Sequence, residues 1–105
     1  MTRLLCITLV ALAACATPER HDAFKQVMAR QIGKKADDPD FYPVFYKLRG
    51  GASKQLPNGN EEAEYKTGRN ERCSLFFEIH PVSHQVVRWR FDGSDKDCIV
   101  GTPYN

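Results

Sequence analysis

Cys73-Ser74-Leu75-Phe76-Phe77-Glu78-Ile79-His80-Pro81-Val82-Ser83-His84-Gln85-Val86-Val87-Arg88-Trp89-Arg90-Phe91 is the stretch that decides the fold. From Ser74 to His80 the residues alternate, which puts Leu75, Phe77 and Ile79 on one side of an extended chain. Pro81 to His84 supplies a turn, and a strand from Gln85 to Phe91 then places Val87, Trp89 and Phe91 on one side as well. Six large apolar groups on one face of a hairpin predict the centre of the core. The opposite face carries Phe76, Glu78, Arg88 and Arg90, with Glu78 within reach of Arg88 or Arg90 across the strands.

Cys73 opens the hairpin and Cys98 lies just past its end, so antiparallel pairing brings the two together. Cysteine bookkeeping agrees with that geometry. Met1 to Ala14 reads as an export signal: one cation, Arg3, precedes an apolar run from Leu4 to Leu12, and the run closes on the small residues Ala13 and Ala14. The run is too short to span a bilayer permanently. Cys15 follows Leu12-Ala13-Ala14 directly, which resembles the bacterial lipobox, in which that Cys is diacylated, exposed by cleavage and N-acylated. A plain cleaved signal with an incidental Cys is the alternative. Of four cysteines, Cys6 leaves with the signal and Cys15 carries lipid, and an exported chain left with Cys73 and Cys98 implies a disulfide. A metal or redox pair is disfavoured, since there is no C-x-x-C.

Working back from the hairpin, Glu62 to Thr67 alternates Glu62, Glu64 and Lys66 against Ala63, Tyr65 and Thr67, a half-buried strand. Leu56-Pro57-Asn58-Gly59-Asn60 before it is a turn, with Gly59 suited to positive φ. Phe41 to Leu48 is predicted as a short second helix, with Asp40 as N-cap, Pro43 in the first turn and Gly50-Gly51 as its end; an extended segment is the alternative. Its aromatics Phe41, Tyr42, Phe45 and Tyr46 are assigned to core packing in preference to a partner-binding patch. A first helix is predicted from Pro18 to Ile32, capped by Thr17 and stopped by Gly33, with Phe24, Val27, Met28 and Ile32 inward.

The chain is therefore expected to be α+β: residues 1–14 a signal, 15–17 a lipidated Cys and short tether, and 18–105 one periplasmic domain. One or two helices cover a three-stranded antiparallel sheet braced by one disulfide. After Cys15 come Ala16 and Thr17 rather than Asp, and an Asp there would resemble the inner-membrane retention signal. The periplasmic face of the outer membrane is thus the expected address, in a double-membraned host.

A lipobox, short helices, the Gly33-Lys34 connection and a three-stranded antiparallel sheet resemble the SmpA/OmlA (BamE-like) family. Closer still is the likeness to small proteobacterial lipoproteins that carry Leu56-Pro57-Asn58-Gly59-Asn60, a Cys-x-x-x-Phe-Glu strand as at Cys73 to Glu78, and Trp89-Arg90-Phe91-Asp92-Gly93 before a last Cys. The Cys73 and Cys98 pair departs from the usual BamE pattern, and Asp37 to Leu48 is not a clean match to its second helix. The resemblance implies a non-enzymatic scaffold or accessory subunit in outer-membrane assembly or maintenance.

The chemistry available points the same way. Lys and Arg number 15 against 13 Asp and Glu, and the signal removes Arg3, so the exported domain is close to neutral and nothing recommends nucleic acid. There is no G-x-S-x-G, and Ser83 beside His84 sits in a predicted turn, so no enzyme and no small-molecule substrate is expected. His80 and His84 lack a third metal ligand, and Asp92, Asp95 and Asp97 lack calcium-loop spacing; solvated turns are preferred for both, and no cofactor is expected beyond the lipid on Cys15. Arg20, Lys25, Arg30, Lys34 and Lys35 are read as a solvated helix face before a head-group contact. Phe76, Arg88 and Arg90, with the strand edge at Glu62 to Thr67, are the surface nominated for an envelope protein partner, although an ordinary charged sheet exterior is the preferred reading. A periplasmic inhibitor or immunity protein that plugs a hydrolase or toxin with a loop is the second hypothesis, and a secretion-system subunit using Gly101 to Asn105 as a tail the third.

Overall fold

The computed structural model describes residues 19–100. The signal, Cys15, the Thr17-Pro18 helix start and the Gly101 to Asn105 tail lie outside them. Within that span a helix packs against a four-stranded antiparallel sheet, and Cys73 and Cys98 form a disulfide with a Cα separation of 5.1 Å. The strands are β1 (Arg49–Gln55), β2 (Glu61–Thr67), β3 (Cys73–Ile79) and β4 (Val86–Asp92), in spatial order β1-β2-β3-β4. Among the described residues no helix is long and apolar enough to cross a membrane.

Helix α1 occupies described residues 19–29 and lays His21, Phe24, Met28 and, one turn on, Gln31 against the sheet. Full burial of Phe24 and Met28, about 1.5–3 kcal/mol for each side chain, holds in place a helix that would be marginal alone. It ends three residues earlier than the predicted Ile32. From Gln31 on, the turns tighten to i−3 bonds (Gln31 N–H to Met28 O, 3.0 Å), and Gly33 reverses the chain at φ +92°. That early unwinding turns Ile32 out to solvent, 48% exposed, while Gln31 takes the inward place and receives the Tyr42 N–H on its Oε1 at 2.9 Å.

The predicted second helix shrinks to one turn, α2 (Tyr42–Phe45). Asp40 does not cap it: the N-cap is Phe41, with no side-chain bond, and Pro43 occupies the first turn. The aromatic assignment divides accordingly. Phe41 and Tyr42 are core, whereas Phe45 and Tyr46 are exposed.

A four-stranded sheet replaces the expected three because residues 49–55, all exposed, pair along β2. The register runs Lys54↔Glu62 and Gly50↔Tyr65, with a bulge of Gly51 and Ala52 opposite Glu64. Glu62 to Thr67 is thus an inner strand, not an edge. In the central hairpin Leu75↔Phe91 and Phe77↔Trp89 pair as the alternation predicts, but a bulge separates Glu78↔Arg88 from Ile79↔Val86. The extra residue flips the parity there, so Val86 is buried and Val87 is 40% exposed, the reverse of the sequence reading.

The far edge of β4 is partly closed by the chain leaving α1. Gly33 N–H donates to Val86 O, Val86 N–H to Lys34 O and Ala36 N–H to His84 O, at 2.8, 2.8 and 2.9 Å. β1, the opposite edge, has no neighbour on its far side among the described residues.

Candidate functional site

Sheet parity brings Phe76, Arg88 and Arg90 together on the face away from α1. Phe76 sits between Glu64 of β2 and Arg90 of β4 in register. The Arg90 guanidinium lies over its ring, 3.9 Å from the centroid, a cation–π contact. Beyond the ring it donates twice to Glu62, from Nε to Oε2 at 3.0 Å and from its terminal nitrogen to Oε1 at 2.8 Å. Arg90 therefore pairs with Glu62, across β3, and Glu78 faces Arg88, whose Nε is 3.8 Å away. This bidentate hydrogen bond from Arg90 holds the Glu62 carboxyl below its usual range and raises Arg90 in turn.

Glu62 and Glu78 stand directly opposite each other, two like charges that need separate neutralisation. For Glu78 the donors come from the Leu56 to Asn60 turn: Asn58 Nδ2 at 3.0 Å and Asn60 Nδ2 at 2.6 Å, both on Oε2. Those two hydrogen bonds lower the Glu78 carboxyl. Asn58 also accepts the Asn60 N–H on its Oδ1 at 3.0 Å, so one turn residue both shapes the turn and locks it to β3. Next along the face, Lys66 Nζ bridges Glu64 Oε2 and Ser74 Oγ, each at 2.9 Å, and the lysine hydrogen bond is the first cause of a lowered Glu64. Ala52, Lys54, Glu62, Glu64, Phe76 and Arg90 enclose a shallow depression of about 210 Å³. Gly51 leaves room for the Glu64 carboxylate, since a Cβ there would sit 2.8 Å from Glu64 Oε1. The result is a planar array of paired charges around one aromatic floor, suited to recognising another surface.

The other candidates fall into structural roles. His80 Nδ1 accepts the N–H groups of Val82 and Ser83 at 3.1 and 3.3 Å, which ties the ring to its own turn. Ser83 Oγ accepts the Gln85 N–H at 3.3 Å. Asp97 accepts from Ser94 Oγ at 3.1 Å and Asp95 approaches His21, so the acidic cluster is spread among separate partners. Lys25 pairs with Asp22 at 3.6 Å, and Lys34 donates to the Asp40 carbonyl at 3.1 Å.

One feature escaped the sequence reading. His21 is buried between Phe24 and Phe91, its Nδ1–H donating to the Cys98 carbonyl at 2.8 Å and its Nε2 lying 3.4 Å from Asp95. Its position three residues before Phe24, on the inward stripe, was the available signal. The aromatics before β1, assigned to core packing from the sequence, run from core to surface: buried Tyr42 packs on Tyr46 at 4.6 Å, and Tyr46 on Phe45 at 4.9 Å, with Phe45 63% exposed. Comparisons with protein-family models, curated proteins and solved structures found no match.

Proposed function

We propose that this chain is a lipid-anchored cell-envelope protein that works by binding, as a non-enzymatic scaffold or accessory subunit in outer-membrane assembly or maintenance. The observation that carries the reading is the division of the sheet. One face holds the core, while Arg88 and Arg90 on the other have side chains 77% and 52% exposed around Phe76. The lipobox ending at Cys15 and the SmpA/OmlA-like motifs support an envelope setting, with Cys15 held at the periplasmic face of the outer membrane. Photo-cross-linking in intact cells from position 88 is the direct test. Recurrent capture of the same envelope protein is expected, and an empty result from a well-expressed variant would count against a scaffold.

A specific observation also supports the second reading, an inhibitor or immunity protein. The two turns at one end of the sheet are both braced: Leu56 to Asn60 by Glu78, and Pro81 to His84 by His80, which leaves Val82 projecting at 79% exposure. Rigid loops of that kind suit insertion into a hydrolase cleft. Survival of a deletion strain equal to that of its parent among toxin-secreting competitors would remove it.

A further inference from the structure

We propose that the outer edge of β1 receives an extended acidic segment of another protein, which joins the sheet as an added strand. Among the described residues the two edges are treated unequally: residues 33–36 close part of β4, and β1 has no neighbour on its outer side. The groups on offer follow from the register. Leu56 N–H donates to Asn60 O at 2.7 Å, so Leu56 faces β2, and so does Lys54 two residues back, opposite Glu62. Antiparallel alternation then turns the N–H and C=O of Ser53 and Gln55 outward, unused by the sheet. The bulge at Gly51 and Ala52 precedes this run, which begins at Ser53.

Charge selects the occupant. From Phe41 to Asn60 the chain contains no Asp or Glu, and it carries Lys47, Arg49 and Lys54. Arg49 and Lys54 lean on Glu71 and Glu62 at 3.0 and 3.9 Å but keep side chains 65% and 66% exposed, open to a second carboxylate. A second copy of this chain would set one basic strip against another, whereas an acidic strand meets complementary charge along its length. Phe45, exposed just ahead of β1, offers an apolar landing for one residue of the guest.

The proposal rests on the protein-binding reading above but not on the anchor. Membrane retention of Cys15→Ser would sink the anchored part and leave this edge untouched. Failure of the test below would remove strand addition and leave the Arg88 face as the docking surface.

The test titrates the ¹⁵N-labelled full chain with two end-blocked ten-residue peptides, one alternating Glu and Val, the other Lys and Val. The acidic peptide is expected to shift the Ser53 and Gln55 amide resonances and slow their hydrogen exchange, with the basic peptide binding at least tenfold more weakly. Ser53→Pro with Gln55→Pro removes the outward backbone donors, as edge prolines do, together with the exposed bond from Ser53 Oγ to Glu61. That variant is expected to fold and to lose at least tenfold in affinity. Should it unfold, the acidic peptide N-methylated at alternate residues replaces it, with the same loss expected. The idea is overturned if the acidic peptide produces no shift at millimolar concentration, if both peptides bind alike, or if affinity survives the prolines or the N-methylation. A dimer in sedimentation that the proline variant abolishes overturns it too, giving the edge to a second copy.

Discussion

Replacing Asn60 by Asp exchanges one NH₂ for one oxygen, at the point where the Leu56 to Asn60 turn is locked to β3. In the native protein Asn60 Nδ2 lies 2.6 Å from Glu78 Oε2, and the Glu78 side chain is only 9% exposed. Loss of a hydrogen bond to a charged acceptor costs about 1.5–3 kcal/mol. The new carboxylate adds repulsion, since two carboxylates roughly 3 Å apart cannot both ionise in place. A destabilisation near 3 kcal/mol at pH 7 corresponds to a melting point lower by about 12–24 °C for a domain of this size.

The pH profile separates the cause from a merely damaged turn. Native Glu78 is held below the ordinary carboxylate range, so the folded state binds its proton less readily than the unfolded chain does. Its contribution is complete above that range and is lost as pH falls through the lowered folded value. In Asn60→Asp the facing pair shares a proton, raising one folded value; that contribution is present at acid pH and lost as pH rises. Asn60→Ala removes the donor without adding charge. In thermal unfolding from pH 7 to pH 4, Asp should be the less stable variant at neutral pH and the more stable one at acid pH. A constant order, or an Asp variant as stable as the native protein at pH 7, would refute the reasoning.

Reducing the disulfide, or replacing Cys73 and Cys98 by Ala, removes a 25-residue cross-link worth about 3.5 kcal/mol in the chain-entropy model, and urea unfolding with and without reductant measures it. Gly68→Ala should prevent accumulation of folded protein, because Gly68 has φ +77° and a Cβ there collides with the Asp97 carbonyl oxygen; a native circular dichroism spectrum and melting point would contradict this. Exchange at the bulge gives unequal results: Val86→Ala should cost roughly 1–3 kcal/mol and Val87→Ala under 0.5, read by denaturant midpoint. Cys15→Ser should move the protein from the membrane fraction to the soluble one, and continued sedimentation with membranes would oppose lipid anchoring.

Where the sequence was legible, burial and period agreed. Leu75, Phe77, Trp89 and Phe91 alternate because one face of their hairpin is packed and the other wet, and the disulfide follows from the same pairing. β1 was illegible for the converse reason: Arg-Gly-Gly-Ala-Ser-Lys-Gln buries nothing, and its extended state comes from hydrogen bonds to β2. Val86 and Val87 are equally apolar neighbours, so only the bulge decides which one faces in. On the outer face, parity identified Phe76, Arg88 and Arg90 but not their pairing. Arg90 reaches Glu62 because Phe76, between them, offers its long side chain a flat support.

The disulfide also decides how the domain carries tension. Residue 19, near the start of described α1, and residue 100, just past Cys98, lie at one pole, where His21 holds the Cys98 carbonyl. A pull on those two ends passes through the sulfur bridge and bypasses everything between Cys73 and Cys98. α1, β1 and β2 can be drawn out under load, but the β3–β4 hairpin contributes no length until a covalent bond is broken. A protein tugged between a membrane and a partner would yield in part and then stop.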